Sequence, residues 1–503
     1  MRPLIHCTPI LLAALFLAGC PKAAPSAPAD PYAHGERDAG IPERPEQIAF
    51  EDYAFVPPKA ADHLHDADGV PVFIAPTHEF PLVELTFTFK GGRYLEPEGK
   101  WGVAGATAEL VHHGGAGEMG PEETDERFAF LAANVGVSVG SEQSSVSLNC
   151  LKDNLPEALD LVMDMLQSPQ LDADKMALYQ RKRVDEMKTR NDDASDIAAR
   201  EWAALMWGRD HYLGRVPTAE MVEGLTRDDV SDFHQTIFNP ANLVVSVTGD
   251  VEPDEILPLL TKHLSGWEKG EMNGDPPAPS AELAPGVYHV QKDIPQGKVR
   301  IGMRGITRDD EDRVAIDLMN QILGGGGFTS RLMQRIRSDE GLAYGARSGF
   351  SAPVYFPGQF QASFDSKNPT VARATDIVFE EVKRIAAEPV SDKDLELAKT
   401  NYIETFPRRF ETRASTVGTF VNDRMTNRPE DHWDTYRARV EAVTVEDIQR
   451  VAQRLLNPDQ LAVLIVGDWG PIEKGDHEGK ANMKPYGAPT SLPMRDPLTQ
   501  EPI

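Results

Sequence analysis

Apolar residues alternate with polar ones in some stretches of the chain and recur every three to four positions in others, and the two periods predict different elements. Val70 to Ala75 is a continuous apolar strand, and after Pro81 the run Val83-Glu84-Leu85-Thr86-Phe87-Thr88-Phe89 alternates strictly until Gly91-Gly92. Antiparallel pairing of these neighbours is the natural reading. Trp101 to His113 has helical spacing closed by Gly114-Gly115, and Pro121 opens a further helix through Leu131. Val135 to Leu148 reads as a strand pair, Leu155 to Leu166 as an amphipathic helix, and Asp174 to Lys188 as a charged one. The stretch 191–225 shows no clear period, and His211 to Arg215 reads as a loop. Further on, Val314 to Leu323 is helical up to the four glycines Gly324 to Gly327. Ser330-Arg331-Leu332 then opens another helical segment, which ends near Gly341 and leads into strand-like residues.

One segment occurs twice. Thr226 to Asp250 aligns without a gap on Thr444 to Asp468, with nine identities in 25 positions, including both Asn-Pro pairs and both closing Gly-Asp pairs. Each copy reads as helix, Asn-Pro turn and buried strand. The chain is therefore a duplication of one α+β unit, with Asn273 to Ser280 as a turn-rich connection between the copies.

Composition narrows the class. A chain of 503 residues with 41% hydrophobic and 26% charged residues has ample core for several domains. A net charge of −28 argues against nucleic acid as a partner. At the N-terminus, Arg2, the apolar run Ile10 to Ala18 and Leu17-Ala18-Gly19-Cys20 have the layout of a lipoprotein signal. Cleavage before Cys20 and acylation of that residue would anchor the chain to a membrane of the bacterial cell envelope. Pro21, in place of Asp, favours the outer membrane facing the periplasm. The Pro/Ala-rich segment that follows is an extended tether. Cys7 leaves with the signal and Cys20 is consumed, so Cys150 remains the one free thiol and no internal disulfide is expected.

The stretch of most chemical interest is Leu323 to Tyr344. Arg337 and Tyr344 lie seven residues apart across a helix end, and a turn at Gly341 could bring guanidinium and phenol to one wall of a cleft. Such a pair can hold a peptide carbonyl or an oxyanion developing on it. The plain alternative is a helix-to-strand corner with a surface Arg and a half-buried Tyr. A phosphate cradle fits poorly, because no Gly-Lys-Ser/Thr follows the glycines and a helix precedes them.

Gly325-Gly326-Gly327-Phe328, Ser330-Arg331-Leu332, and Arg337 followed by Gly341-Leu342-Ala343-Tyr344 resemble the C-terminal-half signature of the insulinase/pitrilysin (processing-peptidase-like) zinc metallopeptidase family. The resemblance covers about residues 50 to 470. It implies an α+β fold of two homologous halves, each with two similar layered α+β subdomains, arranged like a clam shell. It also assigns substrate binding opposite the zinc to Arg337 and Tyr344. The organisation that follows is a signal peptide over 1–19, tether 20–47, N-terminal half 48–270, linker 271–284, C-terminal half 285–470 and a loosely packed tail 471–503.

Active members of that family carry His-x-x-Glu-His on the first helix of the N-terminal half. Here the resemblance places Gly105 and Glu109 at the two His positions and Ala108 at the catalytic Glu, while Glu186 keeps the position of the third ligand. Without imidazoles or a base this helix cannot build the family's site, and two carboxylates bind zinc weakly. His112 and His113 point about 100° apart on a helix and chelate poorly together. Glu109, His113 and Glu186 form the remaining candidate set for an atypical metal site. The Ser-rich Ser141 to Ser147 strand corresponds to the region beside bound peptide in the family. The expectation is a chain with no catalytic residue and no cofactor of its own. It would bind a peptide or unfolded protein and work with a homologous His-x-x-Glu-His subunit that carries the zinc. The alternatives are a structural or peptide-holding lipoprotein and a hydrolase with an atypical metal site.

Overall fold

The computed structural model describes residues 55–476 and 479–503. The signal, Cys20 and the whole tether over 20–47 lie outside the described residues. Among those that are described, no helix is long and apolar enough to cross a membrane.

Two six-stranded sheets organise the fold. The first contains β1 (Leu64–Ala67), β2 (Val70–Pro76), β3 (Leu82–Lys90), β4 (Asn134–Val139), β5 (Gln143–Leu151) and β6 (Leu243–Gly249). Its spatial order is β1-β2-β6-β3-β5-β4. The second contains β7 (Gly286–Gln291), β8 (Gln296–Arg304), β9 (Ala343–Ser351), β10 (Gln359–Lys367), β11 (Ala462–Gly467) and β12 (Thr490–Leu492), in the order β12-β7-β11-β8-β10-β9. Apart from the outermost strands β1 and β12, the two orders superimpose, and the duplication becomes geometry. Each half has a single sheet with its helices, so the expected division of each half into two similar subdomains does not occur among the described residues. A unit of this length supplies strands for one sheet of ordinary size.

The repeated segments explain the register. Thr226 and Asp229, and likewise Thr444 and Asp447, form reciprocal capping boxes that start the helices Arg227–Ile237 and Val445–Leu455. Asn239 and Asn457 each accept from the amide two residues on, which turns the chain into β6 or β11. Both strands are buried along their whole length and take central places. β6 therefore separates β2 from β3, pairing parallel with one and antiparallel with the other, and the direct pairing expected of those neighbours is absent. Thr226→Ala and Thr444→Ala should each lower stability by about 1 kcal/mol, read from urea midpoints at constant slope.

The halves exchange helices. Ala194–Trp207, in the stretch whose pattern gave no clear period, lays Ile197, Trp202 and Met206 against Ala462, Leu464 and Val466 of the second sheet. Trp202 Nε1 donates to Gln359 Oε1 at 2.8 Å. In return Arg413–Met425 places Val417, Phe420 and Val421 on Phe73, Ala75 and Val244 of the first sheet. Each helix finds its apolar partner far away in sequence.

The C-terminal segment is packed rather than loose. β12 adds to β7 in parallel register, and Ala481 and Met483 are buried. Leu498 O accepts from Ala219 N, while Arg190 and Asn191 donate to the carbonyls of Pro497 and Arg495. Its prolines and glycines block a helix but leave an extended strap free to pair.

Candidate substrate-binding site and former zinc wall

The helix Val103–His113 is anchored at its start by Glu96, whose carboxylate accepts from the amides of Gly102 (2.9 Å) and Ala104 (3.1 Å). Arg215 pairs with the same carboxylate at 3.0 Å, and both side chains are buried. Gly105, Ala108 and Glu109 lie on the partly open side of this helix. Facing them is the helix Ala173–Lys188, which brings up Tyr179, Arg183 and Glu186. The Tyr179 hydroxyl lies 2.6 Å from the point a Cβ on Gly105 would occupy. Burial pushes the phenol up to about 12, with Arg183 opposing and Glu96, Glu109 and Glu186 adding to the rise.

These residues do not fit a zinc ion. A neutral phenol fills the space beside the first ligand position, and Glu186 pairs with Arg183 at 2.9 Å. The atypical set is not assembled either. His113 stacks on His112 with centroids 3.9 Å apart and turns Nδ1 towards Asp125 at 3.6 Å. His112 is held below its ordinary pKa, mainly by burial and by His113. Among the described residues no group of three or more His, Cys, Asp or Glu is placed to hold a metal. Tyr179 was invisible to motif reading because the obstruction comes from a different helix. Cys150 is a buried free thiol, pushed up to about 11 by burial.

The other wall is built by glycines and two π-helical turns. After Arg313–Asn320 the helix widens at Gln321–Gly325, where a Cβ on Gly324 would meet Ser348 at 2.4 Å, so only glycine allows the close approach to β9. A second π-helical segment, Gln334–Asp339, carries Arg337, and Gly341 closes it at φ +62°. In β9, Ala343 lies opposite Ser366 and Ala346 opposite Phe364. Two residues of β9 thus face one of β10, and this bulge re-aims Tyr344. The Arg337 guanidinium is 4.7 Å from the Tyr344 ring centroid and 4.6 Å from that of Phe328. Tyr344 is 87% exposed, so it is not the half-buried residue of a plain corner. Phe328, inside the glycine motif, is the third member of the cluster, and no periodicity or charge pattern marks it for that place.

The Ser141 to Ser147 region needs correction. Residues 143–151 form β5, which is paired on both sides by β3 and β4, so its main chain has no free edge. The edge on that side of the first sheet is β4, and β9 is its counterpart in the second.

Residues 224–402, which contain the whole Arg337/Tyr344 wall, match the family described as the peptidase M16 inactive domain. Across that stretch the chain is similar to the insulinase/pitrilysin-like M16 peptidases. Similar proteins include an uncharacterised zinc protease of Mycobacterium leprae, 27% identical over 384 residues that span 71% of this chain and 81% of the relative. The non-peptidase homologue YmxG of Helicobacter pylori is 23% identical over 403 residues, spanning 79% of this chain and 92% of that one. Among solved structures, the peptidase M16 inactive domain from Pseudomonas fluorescens matches with a TM-score of 0.73 at 23% identity, over 80% of this chain and 97% of that one. The periplasmic protease PqqL from Escherichia coli matches with a TM-score of 0.70 at 16% identity, over 82% of this chain and 46% of that one. The similar proteins thus include both zinc proteases and a non-peptidase homologue, and this chain lacks the His-x-x-Glu-His pattern.

Proposed function

We propose that this chain is the substrate-binding, non-catalytic subunit of a heteromeric zinc protease, held at the cell envelope by a lipid on Cys20. One contrast carries the reading. The Arg337/Tyr344/Phe328 cluster is assembled and open to solvent, while Tyr179 stands where the first zinc ligand would have to be. Peptide or unfolded protein is the expected ligand, and a homologous subunit with His-x-x-Glu-His would supply zinc and base. The name of the Helicobacter relative, a non-peptidase homologue, supports the non-catalytic part.

The test is peptide hydrolysis by the purified chain, by a homologous His-x-x-Glu-His chain from the same source, and by the two together. Chelator-sensitive activity of the mixture well above either alone is expected. Hydrolysis by this chain alone, or a partner whose rate does not respond to it, would refute the proposal. In the latter case the peptide-holding lipoprotein becomes the better reading.

Anchoring has its own test. Cys20→Ser should move the protein from the membrane to the soluble fraction, with the melting temperature of the released protein unchanged. A variant that stays with the membrane would contradict the lipid anchor.

A further inference from the structure

Beside Tyr344, on the face of the second sheet turned away from its main core, lies a cleft of about 440 Å³. Its wall includes Ser195, Lys298, Arg300, Met333, Tyr344 and Arg347. The strand register puts Arg300 of β8 and Arg347 of β9 on either side of Ser363 in β10, so two guanidinium side chains rise from one row. In the next row Lys298 lies opposite Asp365 and pairs with it at 2.8 Å. The other nearby carboxylate, Asp193, caps the helix Ala194–Trp207 by accepting from Ser195 N.

That leaves both arginines without a carboxylate. Neither makes an ion pair among the described residues, and the contact of Arg347 is with the Ser363 hydroxyl at 3.4 Å. Arg300 Nε is buried and has no hydrogen-bond partner. Burial and the neighbouring Arg347 hold Arg300 below the usual arginine range, with Asp365 as the opposing influence. An unsatisfied buried donor on a cation is costly and uncommon. This buried donor and the exposed Arg347 guanidinium at the wall of one open cleft, with a helix N-terminal turn beside them, form a receptor for an anion. The contrast with a chain of net charge −28 is local and strong.

We infer that this cleft binds a carboxylate of the peptide held at Arg337 and Tyr344, and so selects peptides with an acidic side chain or a free C-terminus at that place. Tyr344 is the shared wall between the two sites, so a chain lying on its ring reaches the cleft with its neighbouring residues. The inference rests on the peptide-binding reading above and adds a specificity to it.

Fluorescence anisotropy on the full chain tests it, with one labelled Ala/Ser-rich peptide in matched forms. Asp/Glu against Asn/Gln isolates side-chain carboxylates, and a free against an amidated end isolates the C-terminus. One form should bind roughly tenfold more tightly than its neutral match, and added salt should erode the difference. Arg347→Gln, an exposed change on an edge strand, and Arg300→Gln/Arg347→Gln should abolish the preference while leaving the neutral peptide's affinity unchanged. Equal binding of all forms by the wild type would overturn the inference and leave peptide binding standing. A preference that survives in the folded double variant would also overturn it. Failure of every peptide to bind the wild type would overturn the peptide-binding reading, and this inference with it.

Discussion

Tyr344→Phe and Arg337→Ala should each slow peptide hydrolysis by the assembled pair roughly 10²–10³-fold, the usual cost of removing one donor aimed at a developing oxyanion. The same variants should melt close to the wild type. Tyr344 is 87% exposed, so losing its hydroxyl leaves no buried group unpaired. Phenylalanine also keeps the ring over which Arg337 sits, which separates the hydroxyl from the cation–π contact. Arg337→Ala removes stacking on two rings, and at an exposed site such a contact is worth about 0.5–1 kcal/mol. Phe328→Ala completes the set. It keeps both donors but frees the guanidinium from one side of its sandwich, so its kinetic loss should fall between wild type and Arg337→Ala. Unchanged hydrolysis beside a lowered melting temperature would make the cluster structural and reduce the chain to a scaffold.

The second large effect is a gain. Wild-type protein should carry well under one equivalent of zinc, and Gly105→His/Ala108→Glu/Glu109→His should improve on this little. A histidine at 105 must begin with a Cβ 2.6 Å from the Tyr179 hydroxyl, far inside contact distance, and the phenol is packed between helices. Adding Tyr179→Ala to those three changes clears the space and should bring zinc close to one equivalent. Elemental analysis reads the metal directly. A zinc-dependent rise in melting temperature is an independent readout, since a ligand at 100 times its Kd stabilises by about 2.7 kcal/mol. Equal zinc binding by the triple and quadruple variants would show that Tyr179 is no obstacle. Arg183 remains a competitor for Glu186, but their pair is solvent-exposed and worth little.

Most local structure was legible because it is written locally. The strict alternation of 83–89 became β3, and the Thr-x-x-Asp boxes and Asn-Pro turns fixed the repeat in both halves. The wall of Arg337 and Tyr344 was also readable, since Gly341 between them sets the turn. What escaped depends on distant partners. The helix Ala194–Trp207 shows no clean apolar face because its surroundings are shared between two halves. Tyr179 looks like an ordinary residue of a charged helix until Gly105 is seen beneath its hydroxyl. Phe328 lay within a noted motif, yet its place over a guanidinium depends on a π-helical widening that no pattern of apolar residues encodes. The tail was misjudged on composition, which forecasts the absence of helix but says nothing about strand addition.

The exchange of helices between halves has a consequence for biosynthesis. The first sheet is complete once β6 has left the ribosome, but the helix that covers Phe73, Ala75 and Val244 is encoded only at Arg413–Met425. Wherever the chain folds as it emerges, at about 5–20 residues per second that apolar patch stays uncovered for on the order of ten seconds. The N-terminal half is therefore born sticky and finishes its own surface only near the end of translation. A chain truncated before residue 413 would keep the patch exposed and be a target for chaperones and proteases, whatever the integrity of its own sheet.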